Sequence, residues 1–141
     1  MFKNDLQIEV CKALLKESRV SGGYINENEF AVTIDGFKLF VFNTKEIIFD
    51  INKIPPFNAA EILKETENDI AIIPTSNYKS SRGILCREYI ADGTNLAVYL
   101  DLKQIKLFEG CTFYANSPQN RVIAKDVFER TIGVVMPVRM N

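Results

Sequence analysis

The chain has 141 residues, of which 47% are apolar and 25% are charged, and its formal net charge is −1. This length and composition predict one globular domain with its own core and argue against a disordered chain. The near-zero charge indicates no global attraction to nucleic acid or membranes. The sequence has no histidine, which excludes Ser-His-Asp and Cys-His nucleophile pairs and imidazole metal ligands.

The cysteines and the amino-terminal segment indicate the cellular compartment. Cys11, Cys86 and Cys111 are far apart in the sequence, which favours free thiols in a reducing cytosol over disulfides or a zinc cluster. The first ten residues contain no apolar core of a secretory signal, and no apolar run has the length of a membrane span. We therefore expect a cytoplasmic protein with no cofactor, no metal and no membrane partner.

The first half of the chain predicts a helix followed by strands. Residues 4–19 place Leu6, Val10, Cys11, Leu14 and Leu15 on one apolar stripe of a helix. The glycines at 22 and 23 are expected to end this helix in a left-handed turn. The later elements are strands over 24–25, 30–34 and 37–42, a short strand over 47–49 and a helix over 58–64, with a tight turn at Asp35 and Gly36.

The second half predicts strands around one short helix. Strands are expected over 70–74, 83–90, 96–100, 111–115, 121–125 and 131–140, a helix over 101–108, and a polar loop over 75–82. The fold class is thus α+β, with antiparallel sheets and two to three helices in two helix-plus-strands repeats. We expect one domain over residues 1–141, because no Pro-, Gly- or Ser-rich linker divides the chain.

Two segments carry a resemblance to a known family. The chain finishes Val134, Val135, Met136, Pro137, Val138, Arg139, Met140 and Asn141, and residues 33–39 read Thr-Ile-Asp-Gly-Phe-Lys-Leu. The first resembles the end of the bacterial DNA sliding clamp, the beta subunit of the replicative polymerase. The second resembles the Thr-Asp-Gly-His-Arg-Leu turn and strand of the same family. The predicted order of elements is similar to one clamp module, but residues 46–82 fit poorly and clamp subunits carry three modules.

The resemblance implies a peptide-binding pocket between neighbouring modules. One wall would consist of Met136, Pro137, Val138, Arg139 and Met140, and the other, from an adjacent copy, of Gly36, Phe37, Lys38 and Leu39. Methionine adapts to varied apolar anchors, and a terminal strand with a proline leaves an edge that an extended peptide can approach. The alternative is that Met136 and Val138 are core residues and Arg139 is solvated.

Four lysines form a second candidate site. Lys12 and Lys16 lie one turn apart on the first predicted helix, and Lys103 and Lys106 lie on the helix over 101–108. If the two helices are adjacent, four ammonium groups share a face that can contact DNA phosphates weakly and without sequence specificity. The alternative is an ordinary solvated helix surface.

The function expected from these observations is a non-enzymatic clamp-like binding module. It would be a replication accessory or docking protein of a phage or prophage, with a homo-oligomer or a replication protein as its partner. One alternative is a host-directed inhibitor that blocks a defence complex or mimics a clamp. A second is an enzyme, but the aspartates lie at turns and element ends and show no spacing typical of a catalytic metal site.

Overall fold

The computed structural model describes residues 2–16, 19–36 and 38–140, and the side chains from residue 6 onward within those ranges. Its helices and antiparallel strands confirm the predicted α+β class. The chain divides into two compact units, Met1–Lys64 (unit 1) and Glu65–Asn141 (unit 2). The expectation of a single clamp-like domain over 1–141 stays a prediction.

Unit 1 contains a helix, three strands and a short second helix. Its elements are α1 (Phe2–Leu15), β1 (Val20–Asn26), β2 (Glu29–Ile34), β3 (Lys38–Asn43), two 3-10 helices (Thr44–Glu46 and Ile51–Lys53) and α2 (Ala60–Leu63). The strands pair as consecutive antiparallel hairpins. Asp35 and Gly36 have φ values of 54° and 73°, which confirms the predicted tight turn between β2 and β3.

Helix α1 packs through a narrower stripe than the sequence predicts. Leu6 and Val10 are buried, whereas Leu15 is 85% exposed. Gln7 is also buried; its side-chain amide donates to the Glu46 carbonyl at 2.6 Å, and its side-chain oxygen accepts the Ile48 N–H at 2.7 Å. The strand predicted over residues 47–49 is therefore wrong, because this segment is a loop bound to a helix side chain.

The first strand contains the two glycines that were predicted to end the helix. Gly22 donates its N–H to the Pro55 carbonyl at 2.9 Å, and its carbonyl accepts the Phe57 N–H at 2.7 Å. A Cβ atom at Gly22 would lie 2.5 Å from the Ala31 carbonyl oxygen, and one at Gly23 would collide with the Phe57 carbonyl. The prediction of a left-handed turn here is wrong, because these glycines let residues 55–57 approach the edge of β1 closely.

Unit 2 contains six strands and one helix. Its elements are β4 (Ile70–Ser81), β5 (Ile84–Ile90), β6 (Ala97–Asp101), α3 (Leu102–Leu107), β7 (Thr112–Ala115), β8 (Val122–Lys125) and β9 (Thr131–Val135). Neighbouring strands are antiparallel in the order β9-β8-β7-β4-β5-β6. The start of β4 pairs with β7 and the remainder with β5. In both units, a helix is followed by three antiparallel strands, as predicted.

Two segments of unit 2 differ from the sequence predictions. Residues 75–81 form the second half of β4 and not a loop, and the turn is at Arg82 and Gly83, whose φ values are 53° and 80°. This half of β4 lacks apolar alternation, and pairing with β5 makes it a strand. The final strand ends at Val135 and not at residue 140, because Val135 pairs with Val122, the first residue of β8.

Candidate peptide-binding site

A cavity of about 150 Å³ lies where the carboxyl-terminal residues of unit 2 meet the first residues of β6. It is lined by Ala97, Tyr99, Pro118, Gln119, Val138, Arg139 and Met140. We call it the tail cavity, and residues 136–140 the tail. Three of the five tail residues predicted to form a peptide-binding wall therefore line one cavity. The other two, Met136 and Pro137, are not among its lining residues.

The tail lies beside the edge strand β6. The Val138 N–H donates to the Tyr99 carbonyl at 2.9 Å, and the Ser81 hydroxyl donates to the Arg139 carbonyl at 3.2 Å. Val138 lies three residues beyond Val135, the last residue of β9, and its hydrogen bond to β6 links the two ends of the strand order of unit 2. The tail thus occupies a part of the edge of β6 without becoming a strand.

A polar network holds Tyr99, which lines the tail cavity. The Tyr99 hydroxyl donates to one carboxylate oxygen of Glu88 at 2.9 Å. The other oxygen of Glu88 accepts hydrogen bonds from the Asn77 side-chain amide and the Thr75 hydroxyl, each at 3.0 Å. The hydrogen bond from Asn77, followed by those from Tyr99 and Thr75, lowers the pKa of Glu88. Lys79 Nζ lies 5.4 Å from the centre of the Tyr99 ring. The ring is therefore held in place by the strands of its own sheet.

Besides the tail and β6, the connection between β7 and β8 lines the cavity, through Pro118 and Gln119. An ion pair anchors this connection: two Arg121 nitrogens contact the two Asp69 carboxylate oxygens at 2.6 and 2.8 Å. The Asn116 side-chain amide also donates to Asp69, at 3.1 Å. The Asp69 side chain is only 2% exposed. The hydrogen bond from Arg121 is the largest cause of the lowered pKa of Asp69.

The roles of Asp69 and Arg121 in positioning the cavity were not predicted from the sequence. Asp69 was interpreted as one of several aspartates at element ends, which is correct for its place just before β4. Arg121 directly precedes β8. The sequence does show an acidic residue before one predicted strand and a basic residue before another, which is the pattern of an ion pair. Only the pairing of the strands shows that the two residues meet.

The second predicted wall lies in unit 1. Gly36 is exposed, Phe37 lies outside the described residues, and Lys38 Nζ contacts a Glu9 carboxylate oxygen at 3.5 Å. Leu39 is 2% exposed, so its side chain belongs to the core of unit 1. A peptide-binding role for these four residues, donated by an adjacent copy, stays a prediction.

The four predicted DNA-binding lysines are all exposed. Lys12 lies in the last turn of α1 and Lys16 directly follows that helix in unit 1, whereas Lys103 and Lys106 lie on α3 in unit 2. Lys12 Nζ lies 3.9 Å from a Glu9 carboxylate oxygen, which offsets part of its charge. Contact of these lysines with DNA phosphates stays a prediction.

Comparisons with protein-family models, with curated proteins and with solved structures find no match to this chain. Over the described ranges, no three His, Cys, Asp or Glu side chains are grouped so that they could hold a metal ion. Within those same ranges, every helix is too short or too polar to cross a membrane.

Proposed function

We propose that this chain is a non-enzymatic, cytoplasmic docking module of the clamp-like kind, which binds a short extended peptide of a replication protein at the tail cavity. The observation that carries the proposal is that Val138, Arg139 and Met140 line one cavity together with Ala97 and Tyr99 of an edge strand. An edge strand offers backbone hydrogen-bonding groups to an extended peptide, and the adjoining cavity offers a place for one side chain.

The size of the cavity favours a peptide anchor over a metabolite. A cavity of about 150 Å³ is below the roughly 300–1,000 Å³ of sites that enclose small-molecule ligands. Its volume leaves room for about one apolar side chain. One leucine or phenylalanine side chain therefore fits, with the rest of the peptide lying outside.

The chemistry of the lining residues favours the same kind of ligand. Ala97, Pro118, Val138 and Met140 provide apolar contacts, and the Tyr99 ring provides an aromatic one. Arg139 is the charged residue of the lining and is exposed, so a carboxylate next to the anchoring side chain finds a cation. One buried apolar side chain contributes about 1.5–3 kcal/mol. With a few backbone hydrogen bonds, we expect a dissociation constant on the order of 0.1 mM.

An NMR titration tests this proposal. The ¹⁵N-labelled chain is titrated with acetylated five-residue peptides that carry a central Phe or Leu, with the same peptide carrying a central Ala, and with peptides that bacterial sliding clamps bind. We expect the Phe and Leu peptides to shift the amide signals of Tyr99, Val138 and Arg139. Their dissociation constants are expected to be at least tenfold lower than that of the Ala peptide.

Two substitutions provide a matched pair for this titration. Ala97→Phe fills the tail cavity and is expected to abolish the shifts. Ala71→Phe, which places the same bulk on an exposed position of β4, is expected to leave them unchanged. Equal binding of the Phe and Ala peptides, or undiminished binding to the Ala97→Phe variant, would rule out the cavity as the docking site.

A further inference from the structure

The turn between β8 and β9 presents two large apolar side chains to solvent. Val127 is 81% exposed and Phe128 is 74% exposed. Both are consecutive in the chain, and Glu129 follows them. We call Val127 and Phe128 the apolar tip. Single exposed apolar residues are common on protein surfaces, but an adjacent pair at the end of a turn is a shape that can enter a cavity.

Hydrogen bonds fix the conformation of this turn. One carboxylate oxygen of Asp126 accepts the N–H groups of Phe128 at 2.9 Å and Arg130 at 3.0 Å, and the other accepts from Arg130 Nε at 3.3 Å. The Asp126 N–H also donates to the Arg130 carbonyl at 3.0 Å, and Glu129 adopts a φ of 61°. The guanidinium of Arg130 lies 5.2 Å from the centre of the Phe128 ring. The turn is therefore preorganised before it contacts a partner, so its binding costs little conformational entropy.

The apolar tip and the tail cavity lie at opposite ends of the same strand. The turn immediately precedes Thr131, the first residue of β9, and the tail immediately follows Val135, its last. A strand of five residues is roughly 15 Å long. The tip of one molecule therefore cannot enter the tail cavity of that molecule, but it can enter the cavity of another copy.

We propose that the apolar tip of a second copy of this chain occupies the tail cavity, with Phe128 as the anchor. The inference rests on the proposed function, since it names the occupant of the same site. The phenylalanine ring has the size of benzene, which matches a cavity of about 150 Å³. Tyr99 provides an aromatic partner for the ring.

Charge supports the same pairing. Glu129 follows Phe128 directly, and Arg139 is the charged residue of the cavity lining. Neither has an ion pair with another residue within the described part of the chain. With Phe128 in the cavity, the carboxylate of Glu129 is a neighbour of the cavity rim, where the guanidinium of Arg139 lies.

The contact is heterologous, because each copy donates a tip and accepts another at a different place. Such a contact does not stop at two copies, so it continues into a ring or a filament. Its small area is far below the roughly 1,200–2,000 Å² of stable interfaces, which predicts reversible association at high concentration.

Sedimentation velocity on the full chain between about 10 µM and 1 mM tests the inference. We expect the sedimentation coefficient of the unmodified chain to rise continuously with concentration. Phe128→Ala removes the anchor of the tip, and Ala97→Phe fills the cavity, so each variant alone is expected to remain a monomer. Ile48→Ala removes a side chain of matched exposure, 73%, from unit 1 and is expected to associate like the unmodified chain. Circular dichroism melting of each variant checks that it is folded.

Mixing the two defective variants is the decisive measurement. The Ala97→Phe chain still has a tip and the Phe128→Ala chain still has a cavity, so an equimolar mixture is expected to form dimers and nothing larger. Reversing the charges sharpens the result: Glu129→Arg and Arg139→Glu each weaken association about two- to fivefold, and both together in one chain restore it.

The outcomes separate this inference from the proposed function. An unmodified chain that stays monomeric at 1 mM, or a Phe128→Ala chain that associates normally, overturns the inference. If the Phe128→Ala chain nevertheless binds the Phe peptide at Tyr99 and Val138, the proposed function stands alone. If it binds no peptide and the unmodified chain is also monomeric, both fail.

Discussion

The edge of β1 in unit 1 and the edge of β6 in unit 2 are both covered by a segment that is not a strand, but to different extents. Residues 55–57 make two backbone hydrogen bonds with Gly22 on the edge of β1. The tail makes one backbone hydrogen bond to β6, between Val138 and Tyr99. The first edge is closed over its central residues, whereas the second retains a cavity beside Ala97 and Tyr99.

The side chains at the two edges explain the difference. Gly22 and Gly23 have no Cβ atoms, so the backbone of residues 55–57 lies directly against β1. At the edge of β6, Tyr99, Pro118 and Val138 line a cavity between the tail and the β7–β8 connection. The glycines of β1 thus let the chain itself cover that edge, whereas the larger side chains at the edge of β6 leave space for a partner. An exposed edge is the part of a sheet to which an extended peptide adds.

The side chains that fix a neighbouring loop in each unit also differ in chemistry. In unit 1, the neutral side chain of Gln7 fixes the loop after β3 through two hydrogen bonds. In unit 2, the Asp69–Arg121 ion pair fixes the connection that forms one wall of the tail cavity. Breaking a buried ion pair leaves an uncompensated charge, which costs more than the loss of a neutral hydrogen bond.

The largest expected effect is that of Arg121→Ala. Asp69 loses its cation but keeps the hydrogen bonds from Thr66 and Asn116, so the free energy of unfolding is expected to fall by about 1–3 kcal/mol. Urea denaturation measures this loss. The control is Arg130→Ala, which breaks an ion pair whose arginine is 66% exposed and changes the stability by less than about 0.5 kcal/mol. Equal effects of the two substitutions would show that the ion pair does not hold unit 2 together.

The second prediction adds bulk at each edge. Gly23→Val places a Cβ atom against the Phe57 carbonyl and is expected to lower the free energy of unfolding by about 1–3 kcal/mol. Ala97→Val adds methyl groups at the tail cavity, where space exists, and is expected to change it by less than about 0.5 kcal/mol. Thermal melting of both variants compares the stability of the two edges directly. If Ala97→Val lowers the melting temperature and Gly23→Val does not, the edge of β1 is not the closed one and the edge of β6 is not the open one.

The third prediction concerns acid. The hydrogen bond from Arg121 holds the pKa of Asp69 below its ordinary value of 3.8. Near and below that pH, the unfolded chain therefore binds more protons than the folded one. The stability that Asp69 contributes is present above about pH 4 and is lost as the pH falls through the folded pKa. Urea denaturation from pH 6 to pH 2 is expected to show this loss. Asp69→Asn is expected to reduce it by the share of Asp69, because Glu88, whose pKa is also lowered, still contributes. A conservative change at Gln7, Gln7→Asn, alters no titrating group and leaves the pH dependence unchanged.

Local patterns of the sequence predict most elements but not the two edge coverings. The apolar residues of α1, β2, β3 and β5 to β9 predict these elements, and the predicted ranges overlap the observed ones, although β9 ends five residues before the predicted end. Residues 75–81 have no such pattern, because both faces of that half of β4 are largely solvent-exposed and pairing with β5 determines its conformation. Gly22 and Gly23 suggest a turn locally, whereas the approach of residues 55–57, more than thirty positions away, requires them in a strand.

The candidate site is predictable only in part for the same reason. The tail was identified from its residues, and Val138, Arg139 and Met140 do line a cavity. Ala97, Tyr99 and the connection at 118–119 could not be added to it, because no local pattern shows that the end of the chain returns to β6. The network that fixes Tyr99 joins three strands through Glu88, and each of its residues alone is an ordinary polar surface residue.

The smallest effect is expected in the backbone hydrogen bonds that cover the two edges. The Gly22 and Phe57 N–H groups belong to a pair of bonds that must open together, whereas the Val138 N–H forms a single bond. One backbone hydrogen bond contributes about 1 kcal/mol, so the Val138 amide is expected to exchange with deuterium roughly fivefold faster than the other two, after correction for intrinsic rates. NMR-detected exchange measures all three amides in one sample. Adding the Phe peptide, or raising the protein concentration to 1 mM, is expected to slow exchange at Val138 alone, because only the edge of β6 has room for a ligand. Slower exchange at Gly22 and Phe57 as well would mean that the two edges are equally open, and the contrast between them would not account for where the chain binds its partner.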